Sequence, residues 1–206
     1  MARAVVKPVF TALWRVELRG TDHIPEIGAI VLAANHESVL DGFFLALATR
    51  RRLRFMAKAE LFGYPVLKQL MTGLGAFPVL RNADEGRAVA RGVELLERGE
   101  AIAIFPQGTA IPYRNRPYRR GAARLALAAG APIVPVALIN TEKAMRPYRF
   151  RIGFPRVLIV AGEPIEVARQ APSPEAVAEL TARLEEAIEG LRAPFGPQAH
   201  AWIEPR

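Results

Sequence analysis

Short apolar runs along the chain alternate with longer segments in which apolar residues recur at helical spacing. A short run of this kind is typical of a strand buried inside a sheet. We interpret four runs as buried strands: residues 29–32, 101–105, 132–139 and 157–160. The alternation predicts a single α/β domain, with a mixed, mostly parallel sheet flanked by helices. Pro135 has no N–H for a ladder, so it predicts an edge strand or a bulge.

The N-terminal segment, residues 1–17, combines apolar residues with three cations. Phe10 and Trp14 lie four residues apart, on one face of a helix. Such a segment is typical of a helix lying in a membrane interface, or of a helix packed on its own domain. Pro8 is expected to break or kink this helix unless the helix begins there.

The remaining chain divides into a main domain and a tail. We assign residues 18–192 to the main domain, which closes with an amphipathic helix over residues 175–191. Residues 193–206 contain Pro and Gly and form a C-terminal tail.

The charge of the chain favours an anionic partner. Its 206 residues include 28 Lys and Arg against 20 Asp and Glu, which gives a net charge of +8. Lipid headgroups and phosphorylated substrates suit this charge, although compositional bias is an alternative explanation. No zinc-ligand set, RNP-like block or helix-turn-helix pattern indicates nucleic acid, so we do not expect it as a partner.

Composition also restricts the compartment and the chemistry. The chain has no cysteine, which excludes a disulfide framework and a thiolate nucleophile. No uninterrupted apolar run approaches the length of about 18 residues that a spanning helix needs. The first residues show no secretory core or cleavage site. We therefore expect a cytoplasmic protein that is peripheral on the inner face of the cell membrane.

A histidine and an aspartate follow the first buried strand. His36 lies in the turn between this strand and a predicted helix, and Asp41 follows five residues later. Residues five apart do not share a helix face, so the two meet only if the turn folds back. A carboxylate on one ring nitrogen leaves the other free to accept a proton, as in a general base. The alternative is a turn-capping histidine beside an acidic helix start.

Two further strand ends carry candidate anion-binding groups. A predicted strand delivers Arg81 to its carboxyl end, where open α/β sheets bind ligands. Its guanidinium is placed to bind phosphate, or else pairs with Asp84 or Glu85 alongside. After a later strand, Gly108 permits close backbone approach, and the N–H groups there with the Thr109 hydroxyl are candidates to bind a phosphate or polar headgroup.

Four short blocks carry the most specific signal in the chain. They are Asn35-His36 with Asp41, Gly75-Ala76-Phe77-Pro78-Val79-Leu80-Arg81, Phe105-Pro106-Gln107-Gly108-Thr109 and Ala131-Pro132-Ile133-Val134-Pro135-Val136. Their order and spacing, over about residues 30–138, resemble the glycerolipid acyltransferases, the family of bacterial 1-acylglycerol-3-phosphate acyltransferase. The resemblance implies a glycerol-3-phosphate acyltransferase-like fold for the main domain. It also implies a catalytic pair of His36 and Asp41, and an acceptor-phosphate site at Arg81, Gly108 and Thr109.

The third block departs from the commonest form of the family, Phe-Pro-Glu-Gly-Thr-Arg. This chain has Gln107 in place of the glutamate and Ala110 in place of the arginine. Gln107 can still hydrogen-bond an acceptor hydroxyl, although it carries no charge. The change matters little if the family's carboxylate orients a group, and greatly if that carboxylate pairs with a cation.

The missing arginine has candidate replacements nearby. Residues 111–124 hold five arginines, among which Arg114 and Arg116 are expected to contact a headgroup or the donor. A solvated basic loop is the alternative. The family often has a basic residue near Lys58, which makes Lys58 a candidate wall of the site.

The resemblance implies transfer of a fatty acyl group from acyl-CoA or acyl carrier protein to the free hydroxyl of 1-acylglycerol-3-phosphate, forming phosphatidic acid. His36 removes the hydroxyl proton and Asp41 holds His36, whereas Ser38 lacks the context of a nucleophile elbow. We expect no cofactor besides the thioester co-substrate and no metal, because the histidines are too scattered for a ligand set. The alternatives are another lysophospholipid or amino-lipid acceptor, and a non-catalytic protein that binds lipid at the membrane surface.

Overall fold

The computed structural model describes residues 2–58, 62–63, 68–69, 72–73, 75–79, 85–110, 117–145 and 151–195. The helices are α1 (Ala2–Leu13), α2 (Asp41–Leu47), α3 (Glu85–Glu97), α4 (Gly121–Ala129) and α5 (Pro174–Arg192). The strands are β1 (Glu17–Arg19), β2 (Ile30–Ala34), β3 (Leu53–Lys58), β4 (Phe77–Val79), β5 (Ala101–Ile104), β6 (Ile133–Ile139) and β7 (Leu158–Ala161). Short 3₁₀ helices cover Thr21–His23, Thr141–Lys143 and Ala193–Phe195.

The described strands form one sheet in the order β1-β7-β6-β2-β5-β3-β4. β6 and β7 are antiparallel, and the other neighbouring pairs are parallel. The predicted mixed, mostly parallel α/β sheet is therefore confirmed. Because β2, β5 and β3 run in one direction, their carboxyl ends share one edge of the sheet, where ligands bind in folds of this kind.

Helices cover both faces of the sheet, which explains the continuous apolar runs of its central strands. Successive residues of a strand point to opposite faces. Ile30 and Leu32 pack in the apolar cluster that contains Phe44 of α2, whereas Val31 and Ala33 pack in the cluster formed with α3, α4 and α5. Every residue of β2 and of β6 is buried.

The ends of two helices follow from local sequence. The Ser173 side chain accepts the N–H of Ala176 at 3.2 Å, and Pro174 takes the first position of α5, where its missing N–H costs nothing. Gly130 ends α4 in the left-handed conformation, with φ of 65°. α5 begins one residue before, and ends one residue after, the helix that the sequence predicts.

α1 packs its last turn on the domain. Phe10 lies with its ring centroid 5.4 Å from that of Phe43, and Trp14 is buried with its Nε1 donating to the Gly153 carbonyl at 2.7 Å. Contrary to the expected break, the helix continues through Pro8, at the cost of one main-chain hydrogen bond. Aromatic packing of this kind stabilises a helix that its local sequence disfavours. No helix in the described ranges is long and apolar enough to span a bilayer.

Pro135 lies in β6 between β7 and β2, so the edge-strand alternative is wrong. The antiparallel ladder is interrupted at this point. Val136 pairs with Ala161, and the next pairing joins Ile133 to Ile165. Between these two pairings, the segment that faces β6 has one residue more than β6 itself, as in a β-bulge. An interior strand tolerates this proline because the ladder is interrupted there.

Candidate active site

His36 and Asp41 meet at the carboxyl end of β2. The His36 Nδ1 atom lies 2.9 Å from Oδ2 of Asp41, which is wholly buried at the start of α2. The same oxygen accepts the backbone N–H groups of Glu37 at 2.6 Å and Ser38 at 2.8 Å. Because Oδ2 already accepts two backbone N–H groups, Nδ1 is the donor in this contact, and in the neutral imidazole Nε2 then keeps its lone pair. This arrangement gives His36 the tautomer that a general base needs.

The His36 ring is packed on one face and open at its edge. It stacks on Phe105, the residue after β5, with centroids 4.1 Å apart and planes 17° apart. Its side chain is 19% exposed, whereas the Asp41 side chain is 0% exposed. The pair thus combines a shielded orienting carboxylate with an imidazole that reaches the protein surface.

Gln107 holds the main chain of His36. Ala33 pairs with Ile104 in the ladder between β2 and β5. His36 and Gln107 each lie three residues after these partners, just beyond the ends of the two strands. The Oε1 atom of Gln107, a residue only 8% exposed, accepts the N–H of His36 at 2.6 Å. The sequence predicted a hydrogen bond to an acceptor hydroxyl instead. That role, which stays a prediction, would fall to the Nε2 amide group of Gln107.

Two other side chains of the turn bond to the backbone of neighbouring elements. Asn35 exchanges two hydrogen bonds with Leu138 of β6, at 2.9 and 2.7 Å. The Ser38 hydroxyl donates to the Met145 carbonyl at 2.7 Å and accepts the Leu40 N–H at 3.2 Å. Because Ser38 is fully buried in these contacts, it has a structural role, in agreement with its exclusion as a nucleophile.

The turn after β5 brings an unassigned arginine to this edge of the sheet. Gly108 has φ of 75°, and a Cβ added to it would lie 2.6 Å from Nε of Arg119. The Arg119 N–H donates to the Pro106 carbonyl at 2.9 Å. Arg119 therefore lies against the Gly108–Thr109 turn, where Ala110 supplies no charge. Ala110 in place of the family's arginine suggested that another arginine takes over its role. No spacing in the sequence indicated which arginine this would be.

Several predicted site residues have no described side chain. Arg81, Arg114 and Arg116 lie outside the described residues. Lys58 ends β3, and only its backbone is described. β4 ends at Val79, two residues before Arg81, at the carboxyl edge that also carries His36. The roles of these four residues stay predictions.

Sequence reasoning missed a largely buried ion pair beside His36. Glu37, 3% exposed, pairs with Arg192 in the last turn of α5. Arg192 also donates to both carboxylate oxygens of Glu189, at 2.8 and 3.0 Å, and the Tyr118 hydroxyl donates to Glu189 at 3.2 Å. A separation of 155 residues between Glu37 and Arg192 left no local pattern that could reveal the pair.

Burial raises the pKa of Glu37 to about 7. The positive charge of Arg192 opposes this shift, and the nearby carboxyl groups of Glu142, Asp41 and Glu189 add to it. Burial likewise raises the pKa of Glu142. The turn between β2 and α2, residues 35–40, is called the catalytic turn below because it carries the candidate base His36. The interior behind this turn is thus rich in carboxyl groups, although the chain as a whole is basic.

The fold and the His36–Asp41 pair define an α/β protein with an aspartate-bonded histidine at the carboxyl edge of its sheet. The family model Acyltransferase matches residues 15–139. The chain belongs to this acyltransferase family, and acyl transfer is the class of its reaction.

Relatives and a solved structure agree with this assignment. The chain is 28% identical over 189 residues to the 1-acyl-sn-glycerol-3-phosphate acyltransferase of Bacillus subtilis, covering 90% of this chain and 92% of that protein. It is 29% identical over 136 residues to a chloroplastic enzyme of the same name from Brassica napus, covering 64% of this chain but only 39% of the plant protein. The crystal structure of the 1-acyl-sn-glycerophosphate acyltransferase PlsC from Thermotoga maritima superposes with a TM-score of 0.77. It is 26% identical, and the match covers 95% of this chain and 78% of that one.

Replacing Gln107 tests which of its atoms matters. In Gln107→Met the His36 N–H loses its acceptor, which costs roughly 1–3 kcal/mol, and we expect about tenfold slower acyl transfer. In Gln107→Glu a carboxylate oxygen can accept the same N–H, so we expect a rate within about threefold of wild type. Steady-state kinetics of both variants measure the difference. Equal losses in the two variants would instead assign the role to the Gln107 amide donor.

The raised pKa of Glu37 predicts how stability depends on pH. The folded protein keeps a proton on Glu37 that the unfolded chain has lost, between pH 4.5 and about 7. The free energy of unfolding should therefore decrease as pH rises through this window, by up to about 3 kcal/mol. Urea unfolding at several pH values should show a smaller decrease in Glu37→Gln, and an unchanged one in the exposed-site control Glu97→Gln. A Glu37→Gln profile parallel to that of wild type would contradict the shift.

Proposed function

We propose that the protein transfers a fatty acyl group from an acyl thioester to the free hydroxyl of 1-acylglycerol-3-phosphate, with phosphatidic acid as the product. The 2.9 Å contact of His36 with Asp41 carries this proposal, because it creates an oriented base at a partly open site. The names of the relatives from Bacillus subtilis and Brassica napus support the choice of acceptor.

The chemistry needs no covalent acyl-enzyme. Nε2 of His36 takes the hydroxyl proton as the acceptor oxygen attacks the thioester carbonyl. The new C–O bond forms, the C–S bond breaks, and the imidazolium returns the proton to the leaving thiolate. Asp41 stabilises the imidazolium between these two transfers. The donor is acyl-CoA or acyl carrier protein, and no other cofactor takes part.

The acceptor phosphate is proposed to bind beside the Gly108–Thr109 turn. Arg119 lies against Gly108 and offers a permanently charged, planar donor for it. Gly108, Thr109 and Arg81 complete the proposed phosphate site, and the amide group of Gln107 faces the acceptor. Lys58, Arg114 and Arg116 are further proposed contacts for the headgroup or the donor.

A membrane surface, on the inner face of the cell membrane, is the proposed source of the acceptor. Val39 is exposed in the catalytic turn itself, and Ile152, Phe154 and Leu13 are exposed apolar residues outside it. The Phe154 ring packs 5.5 Å from the Trp14 ring at the end of α1. Exposed apolar side chains on a protein of net charge +8 suit an anionic lipid surface.

A second candidate function is the same reaction on another lysophospholipid or on an amino-lipid. It is favoured by Gln107 and Ala110, where the family commonly has a glutamate and an arginine. The mechanism is unchanged, because His36 and Asp41 are the same in both candidates.

Thiol release from long-chain acyl-CoA and from acyl carrier protein, with and without lysophosphatidic acid, tests the reaction. We expect release that requires the acceptor and that falls about 10²–10⁴-fold in His36→Ala, since the base is lost. The control His23→Ala, at a histidine bonded to Ala161 and Glu163, should keep its rate within about twofold.

Other outcomes of this assay decide between the candidates. Thiol release with a different lysolipid alone would change the proposed acceptor and leave the proposed mechanism as it is. No release with any acceptor, from folded protein that still binds anionic liposomes, would support the non-catalytic lipid-binding alternative.

Arg119→Ala tests the proposed phosphate contact. Loss of a charge-assisted hydrogen bond costs roughly 1.5–3 kcal/mol, so we expect KM for lysophosphatidic acid to rise about tenfold or more, with kcat within about threefold. Arg120→Ala, at the exposed neighbour, is the control and should leave both constants near wild type. A rise in KM for the thioester alone would assign Arg119 to the donor instead.

A further inference from the structure

An ion pair that is buried at Glu37 and part-buried at Arg192 joins the catalytic turn to α5. The main-chain N–H of Glu37 donates to Asp41 Oδ2, the atom that also holds His36. The side chain of Glu37 pairs with Arg192. One residue thus contacts the orienting carboxylate through its backbone and α5 through its side chain.

The α5 end of the pair is itself fixed. Arg192 is held by both oxygens of Glu189, which in turn accepts the hydroxyl of buried Tyr118. Leu191, the preceding residue, packs so closely on Gly162 that a Cβ added there would lie 3.1 Å from its side chain. The residue before Arg192 thus packs beside the end of β7, and the ion pair connects this end of α5 to the turn.

Stability alone is a weak explanation for charges in this place. A buried ion pair can often be replaced by apolar residues without loss of stability, because desolvation offsets the attraction. The surroundings of Glu37 increase the free-energy cost of its charge. Glu37 faces Arg192 and Glu189 from α5, Asp41 from α2 and Glu142 from the 3₁₀ helix after β6, and burial raises its pKa to about 7.

We propose that Glu37 and Arg192 are positioning residues for acyl transfer, which clamp α5 to the catalytic turn and so fix His36 and Asp41 in register. The inference rests on the proposed function for its kinetic test. Arg192 lies beyond residues 15–139, the part of the chain that the family model matches.

Three variants separate positioning from stability. Glu37→Gln and Arg192→Met each remove one charge, and the combined variant Glu37→Gln/Arg192→Met removes both. We expect kcat at least tenfold below wild type in all three, with KM for donor and acceptor within about threefold, because neither side chain binds substrate. The combined variant should recover much of the urea midpoint that Arg192→Met loses, since no unpaired buried charge is left. Arg169→Gln, which breaks an exposed ion pair with Glu97 on the surface, is the matched control with wild-type kcat.

The decisive result is the rate of the combined variant. Low kcat with a recovered urea midpoint would support the clamp. A kcat within twofold of wild type would overturn it, because the pair would then serve stability alone.

A spectroscopic readout keeps the test independent of the acceptor. Histidine ¹⁵N NMR reports the tautomer of His36, whose signals are assigned with His36→Ala among the three histidines of the chain. We expect the Nδ1–H form in wild type and in Arg169→Gln, and a mixture of tautomers in the combined variant. An unchanged Nδ1–H form in the combined variant would overturn the clamp. Absence of turnover by wild type with every acceptor would count against the proposed function, and the NMR result would still decide the clamp.

Discussion

One carboxylate oxygen, Oδ2 of Asp41, organises the catalytic turn. It accepts N–H groups from the His36 ring and from the backbone of Glu37 and Ser38, all within 2.9 Å. The two backbone donors bend the chain so that residues five apart can meet, which a helix would forbid. The third bond fixes the tautomer of the neutral His36 ring. Removing this oxygen would therefore disturb both the shape of the turn and the chemistry it carries.

The turn is fastened to its surroundings by side chains that bond to main chain. Asn35 bonds to β6, Ser38 to the Met145 carbonyl, and Gln107 reaches from the end of β5 to the His36 N–H. Such bonds satisfy polar groups that the buried position would otherwise leave unpaired. The turn around His36 is thus held by neighbouring strands, which suits the role of a general base that we propose for this residue.

Charge is divided between the interior and the surface of the molecule. Carboxyl groups of Glu37, Asp41 and Glu142 lie buried behind the turn, where Arg192 offsets part of their charge. Among the residues that the structure describes, the cations are mostly exposed, and Arg119 lies against Gly108 in the turn after β5. This division keeps the imidazole beside negative charge and leaves positive charge at the surface, which suits the anionic acceptor that we propose.

The sequence by itself determined the fold class and the family, because apolar runs and short motifs are local patterns. The residues alone left the contact of His36 with Asp41 as one of two alternatives, the resemblance implied it, and the tertiary structure shows it. The contacts of Gln107, Arg119 and Arg192 were decided by tertiary structure alone. The first joins residues 71 apart and the last residues 155 apart, distances over which only sheet register and helix packing bring side chains together. The position of Pro135 was also decided by tertiary structure. The sequence around it could not reveal that the ladder between β6 and the segment facing it is interrupted, which allows the proline to lie inside the sheet.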